Sequence, residues 1–143
     1  MPSLLDTKVE TRRFVYPRTE NASETAHGGD LLKWMEQIGG MAAMRFAGTD
    51  TLTVGVDDVR FRRPIPRGAI ALVDGYVVDS GTSSVTAHVR CFEEDRHTGE
   101  RTQATAAKTV SVAIDDSGEK VPVPDVSVET DVGEQLLAEA TEE

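Results

Sequence analysis

One cysteine in 143 residues leaves Cys91 with no partner in its own chain, so no internal disulfide holds this fold and a packed core must do so. Aromatic residues make up only 5% of the chain, and no apolar run approaches the ~18 residues that signal a membrane span. No basic stretch followed by an apolar one opens the sequence either, which predicts a cytoplasmic protein without membrane contact. Several chemistries are missing too. There is no Cys-x-x-Cys, no His-Glu-x-x-His, no phosphate loop ending in Gly-Lys-Ser/Thr, no Gly-x-Gly-x-x-Gly and no Gly-x-Ser-x-Gly. The three histidines, His27, His88 and His97, lack carboxylates at ligand spacing, so no metal site is expected.

Lysine is scarce, four against eleven arginines, and acid exceeds base by ten charges. The excess is local. Residues 1–114 carry 14 basic and 15 acidic groups, whereas 115–143 hold Lys120 alone against ten acidic groups. A non-specific nucleic-acid binder needs a basic surface to displace phosphate counterions, and the body offers one cluster only, Arg60, Arg62, Arg63 and Arg67. Nucleic acid is therefore not an expected partner. The acidic balance suits a salt-adapted cytoplasm and a merely solubilising tail equally well.

What is present reads as one α+β domain over residues 1–126, followed by an acidic tail over 127–143 that closes in a short helix near Glu134–Ala140. Residues 8–16 are β-prone. From Asp30 to about Phe46, helical spacing gathers Leu31, Leu32, Met35, Ile38, Gly39, Ala42, Ala43 and Phe46 into one apolar arc. Trp34, Met41 and Met44 fall outside it among Lys33, Gln37 and Arg45, an apolar surplus that asks for a cover. Four β-like segments follow at about 51–61, 69–79, 83–94 and 103–114, with hairpin-like spacing. In the third, Val85, Ala87, Val89 and Cys91 alternate with Thr86, His88 and Arg90, predicting one dry and one wetter sheet face. A single helix covers only part of such a sheet and leaves its edges open, so a dimer with a continuous sheet is expected.

Two features carry chemistry. Gly28 and Gly29 stand just before the predicted helix, where free N–H groups and the helix dipole favour developing negative charge; a tight turn capped by Asp30 explains them as well. Glu36 falls at the margin of the apolar arc, and partial burial there would raise its basicity. Such a carboxylate suits activation of water, or direct attack, at an acyl carbon. A surface Glu paired with Lys or Arg has the same periodicity.

The sequence contains Asn21, then His27-Gly28-Gly29-x-Leu31-Leu32-x-x-Met35-Glu36 and Gly39. Further on come Val56-Asp57-x-Val59-x-Phe61-x-Arg63-Pro64-Ile65-x-x-Gly68, Gly81-x-Ser83-Ser84, Glu94-x-x-x-Thr98-Gly99 and Pro122-Val123-Pro124. In order and spacing these resemble the hotdog-fold acyl-CoA thioesterases, in the branch of YciA-type and cytosolic acyl-CoA hydrolases, over roughly residues 8–126. The resemblance implies an antiparallel sheet of about five strands wrapped around one long helix. It implies hydrolysis of a fatty acyl-CoA to free acid and CoA without a cofactor. Glu36 would be the base or nucleophile, Asn21 its companion across a dimer interface, and the Gly28–Gly29 turn the oxyanion site. It further implies substrate contacts at His27, Gly81, Ser83 and Ser84, and assembly as a dimer or a trimer of dimers.

Two departures matter. The family usually has Asp where this chain has Glu36, and a 1 Å displacement at a reacting centre can cost about a hundredfold. Where the family often has Arg after the glycine of the Gly-x-Ser-Ser turn, this chain has Thr82, so Arg63, with Arg62 and Arg67 behind it, becomes the expected grip on CoA phosphates. Pairing of these arginines with the acidic tail or with neighbouring subunits is the competing explanation. His27 either orients substrate or closes its turn. A non-catalytic acyl-CoA-binding or sensing module on the same scaffold is the alternative function. A hydratase ranks last, because the chain lacks the Asp/His pairing of those relatives.

Overall fold

A computed structural model describes residues 3–15, 26 and 28–142. A single 3-10 turn at Leu5–Thr7 leads into strand β1 (Val9–Phe14), helix α1 (Gly28–Ala47), strands β2 (Asp50–Phe61), β3 (Ile70–Ser80), β4 (Ser84–Glu94) and β5 (Arg101–Ile114), and helix α2 (Asp131–Glu142). The strands form one antiparallel sheet in the order β1-β3-β4-β5-β2. Consecutive hairpins join β3, β4 and β5, whereas β2 crosses over to the far edge. An extra residue, Val54, between Thr53 and Gly55, and another between Asp57 and Arg60, break its register with β5 and strengthen the local twist.

Helix α1 lies across one sheet face and buries Leu31, Trp34, Met35, Ile38, Gly39, Ala42, Ala43 and Phe46. Contact is close enough that a Cβ at Gly39 would run into the Thr109 side chain, and one at Gly75 would come within 2.9 Å of Ile38 and Val89. The apolar arc is thus right with two exchanges. Leu32 is half-exposed, and Trp34 is only 7% exposed because β1 reaches over it, with the Arg13 guanidinium 5.2 Å from the ring centre. Met41 and Met44 remain exposed.

The predicted wetter face of β4 is not wet. His88 and Arg90 are buried, because the acidic segment returns and lays α2 over this side of the sheet. Arg90 makes a bidentate pair with Asp74 at 2.9 and 2.7 Å and reaches Glu139 of α2 at 2.6 Å. Tyr76 Oη donates to the Leu136 carbonyl at 2.7 Å and lies 3.0 Å from His88 Nδ1. Since that hydroxyl proton goes to Leu136, the histidine supplies the other proton, from Nδ1. Leu136 and Ala140 of α2 are buried, and the segment leading to the helix is tied down by Val121 N–H to the Ala113 carbonyl and Val123 N–H to the Thr82 carbonyl.

Candidate active site

The two expected glycines are the first residues of α1 rather than a turn before it. The difference is small in chemistry, since the first four N–H groups of a helix lack intrahelical acceptors wherever its boundary is drawn. The local cause is that glycine accepts helical as well as turn geometry, and that Ala26 N–H is anchored to the Ile65 carbonyl at 2.8 Å. Gly28 faces the ring of Phe61, at the end of β2, with 3.5 Å available for a Cβ.

Glu36 follows eight residues along α1, about 12 Å up the axis. It is half-buried, as its place at the edge of the arc predicts. With Gly29, Leu32, Lys33, Gln37 and Val56 it lines an open groove of about 510 Å³ between α1 and β2. The structure therefore brings Glu36 and Gly29 to one groove within a single chain. Helix and strand run antiparallel beside it: Gly28 stands by Phe61, Glu36 shares its groove with Val56, and Met44 lines a second cavity with Asp50. Chemically, the arrangement offers a carboxylate, free backbone donors, an ammonium group and apolar walls from Leu32 and Val56. Sequence reasoning missed Lys33, Gln37 and Val56 as lining residues. Lys33, at i−3 from Glu36, was legible from helical spacing; Gln37, at i+1, was not.

Arg62 and Arg63 follow β2 at the same end as the start of α1. Arg62 is exposed, with its N–H bonded to the Ala104 carbonyl at 2.8 Å, and Arg63 pairs with Glu93 of β4 at 3.0 Å. Arg63 thus has a carboxylate partner in the sheet rather than in the acidic tail. Gly81, Ser83 and Ser84 form the β3–β4 turn, closed by Gly81 N–H to the Ser84 carbonyl at 2.9 Å. That turn is at the opposite end of the hairpin from Glu93, roughly 35 Å of strand away, so one chain does not unite it with the arginines or with Gly28. Asn21 and His27 lie outside the described residues. Among the described residues no group of three or more His, Cys, Asp or Glu converges as a metal site would require, and no helix is long and apolar enough to cross a membrane.

The family model of the thioesterase superfamily matches residues 24–100, the stretch that carries α1, the groove and all of β2, β3 and β4. The chain belongs to the thioesterase superfamily. Its hotdog fold follows the solved acyl-CoA hydrolase of Staphylococcus aureus, characterised in complex with butyryl coenzyme A and coenzyme A, with a TM-score of 0.90 at 30% identity over 99% of this chain and 86% of that one. An apo-hexameric acyl-CoA thioesterase gives 0.89 at 29% identity, over 99% of this chain and 90% of that one. In sequence, the acyl-CoA thioester hydrolase YkhA of Bacillus subtilis, described as uncharacterized, is 34% identical over 88% of this chain and 73% of its own length. YciA of Salmonella typhimurium is 28% identical over 79% and 87%. Alanine variants of one aspartate and one asparagine of the S. aureus enzyme have also been solved.

Proposed function

We propose that this thioesterase-superfamily chain is an acyl-CoA thioester hydrolase in which Glu36 is the general base. The observation that carries the reading is the half-buried carboxylate of Glu36 on an open groove with apolar walls. Within one chain the first turn of α1 and Glu36 stand about 12 Å apart, so the thioester carbonyl lies at Glu36 of one copy with its oxygen at the first-turn N–H groups of α1 of a second copy, where the helix dipole and unpaired donors stabilise the oxyanion. Glu36 takes a proton from a water that attacks the carbonyl carbon; the C–S bond breaks and the sulfur leaves as the CoA thiol, receiving the proton that Glu36 holds. The groove is open, so water reaches the carboxylate. Asn21 positions the water or the acyl carbonyl, and Arg63 and Arg62 hold CoA phosphates.

The site is completed by a second copy. Strand β2 is a sheet edge that exposes Leu52 (57%) and Val54 (63%), and antiparallel pairing of two β2 edges gives a continuous ten-stranded sheet. The same pairing turns one protomer's Gly81–Ser84 end toward the other's Gly28 end and joins the two halves that a single chain keeps apart. The hexameric relatives fit assembly of such dimers in threes.

Thiol release from a panel of acyl-CoAs tests the reading. The native protein is expected to hydrolyse part of the panel. Glu36→Ala keeps the assembly and loses about 10²–10⁴ in turnover, whereas Glu36→Asp stays within about a hundredfold of native. Undiminished hydrolysis by Glu36→Ala removes the carboxylate from the mechanism, and tight CoA binding with no thiol release selects the binding-module alternative.

A further inference from the structure

We propose that the acyl chain lies along Glu36, Gly40 and Met44 of α1, and that Gly40 and Met44 set the chain length accepted; this rests on the hydrolase reading above. These residues follow one another at intervals of four, which places them in one row on the helix surface. The row begins in the groove at Glu36. At Gly40 it is open: a Cβ there would meet nothing within 4 Å, although the residue is half-buried. At Met44, 38% exposed, the row enters the second cavity, about 720 Å³, bounded also by Thr49, Asp50, Ile114 and Asp115. The glycine is a gap between two spaces, and the methionine is a flexible apolar side chain that adapts to an alkyl tail.

Charge assigns the direction. The N-terminal end of α1 carries its positive dipole and stands near Arg62 and Arg63, which suits the anionic phosphates of CoA. The other end presents helix carbonyls together with Asp50, Asp115 and Asp116, three carboxylates against the single cation Arg45, a net acidic lining that repels phosphate. With the thioester at Glu36 the CoA arm leaves past Phe61, and the acyl chain runs toward Met44. The acidic rim there also disfavours a chain ending in a carboxylate, so the tail is an uncharged fatty acyl group.

The test uses the native assembled protein, straight-chain acyl-CoAs from acetyl to palmitoyl, an ω-carboxylated acyl-CoA, and a thiol-detecting reagent. A buried methylene is worth roughly fourfold in affinity, so blocking several is readily measured. Gly40→Ala, Gly40→Leu and Gly40→Phe are expected to shorten the preferred chain step by step. The ratio of kcat/KM for dodecanoyl-CoA to that for butyryl-CoA should fall about tenfold or more in Gly40→Phe and in Met44→Trp. Unshifted length profiles in both overturn the proposal, as does equal turnover of the ω-carboxylated substrate and its neutral counterpart. If Gly40→Phe does not assemble, Met44→Trp, at an exposed position, decides alone. A native protein inactive on the whole panel instead defeats the hydrolase reading itself.

Discussion

At the scale of single residues, environment separates the groups that are available for chemistry from those that are not. Cys91 is fully buried between β3 and β5, and burial, reinforced by the nearby Asp74 charge, pushes its thiol up to about 12. A thiol that ionises less readily folded than unfolded contributes stability in full below its ordinary range near 9 and loses it as pH rises toward 12. Denaturant titrations from pH 8 to 12 should therefore show a stability decline of a few kcal/mol that Cys91→Ala reduces. At pH 8 the native thiol should stay unmodified by a thiol reagent, so it does not interfere with assays of CoA release. Glu36 contrasts with it, half-buried on an open groove. Its position was legible because a wheel margin has a buried and a solvated neighbour on either side, which is what partial exposure means. The open space at Gly40 was not legible, since spacing says nothing about what stands opposite.

At the scale of elements, the two helices differ in how they are held. Helix α1 is held by apolar contact, close enough at Gly39 and Gly75 to exclude side chains there. Helix α2 is held by a polar network as well. Arg90, almost wholly buried, satisfies Asp74 and Glu139 together, and its guanidinium is kept charged chiefly by Asp74 against the cost of burial. Arg90→Met would leave the Asp74 carboxylate buried without its bidentate partner, and is expected to cost about 3–5 kcal/mol in chemical denaturation. Glu139→Gln, on the more exposed rim, should cost about 1 kcal/mol. Comparable losses in the two variants would contradict the network. Periodicity predicted a wet face for β4 because His88 and Arg90 are polar; it had no access to a helix that returns some forty residues later to cover them.

At the scale of the whole molecule, the sheet's two edges are unequal. Strand β1 is six residues long with Glu10, Arg12 and Arg13 exposed along it, a charged edge that discourages pairing. Strand β2 is twelve residues long and exposes apolar side chains. If copies join through β2, Leu52→Lys combined with Val54→Lys should convert the assembly to monomers in size-exclusion with light scattering and lower kcat/KM in parallel. The same substitutions leaving the assembly intact would exclude this edge. A native chain that is monomeric at micromolar concentration would remove the dimer altogether.

The amino-acid sequence by itself determined the element order, the strand boundaries to within a few residues, the apolar face of α1 and the candidate pair of Gly29 and Glu36. All of these depend on local spacing, which a repeat of 2 or 3.6 residues records. Only the tertiary structure decided that Trp34 is covered by β1, that α2 buries the back of the sheet, that Gly81–Ser84 and the arginines lie at opposite ends, and that Gly40 opens a gap beside Glu36. Each depends on which residues distant in the chain become neighbours, and that is settled by the packing of surfaces, which no local periodicity encodes.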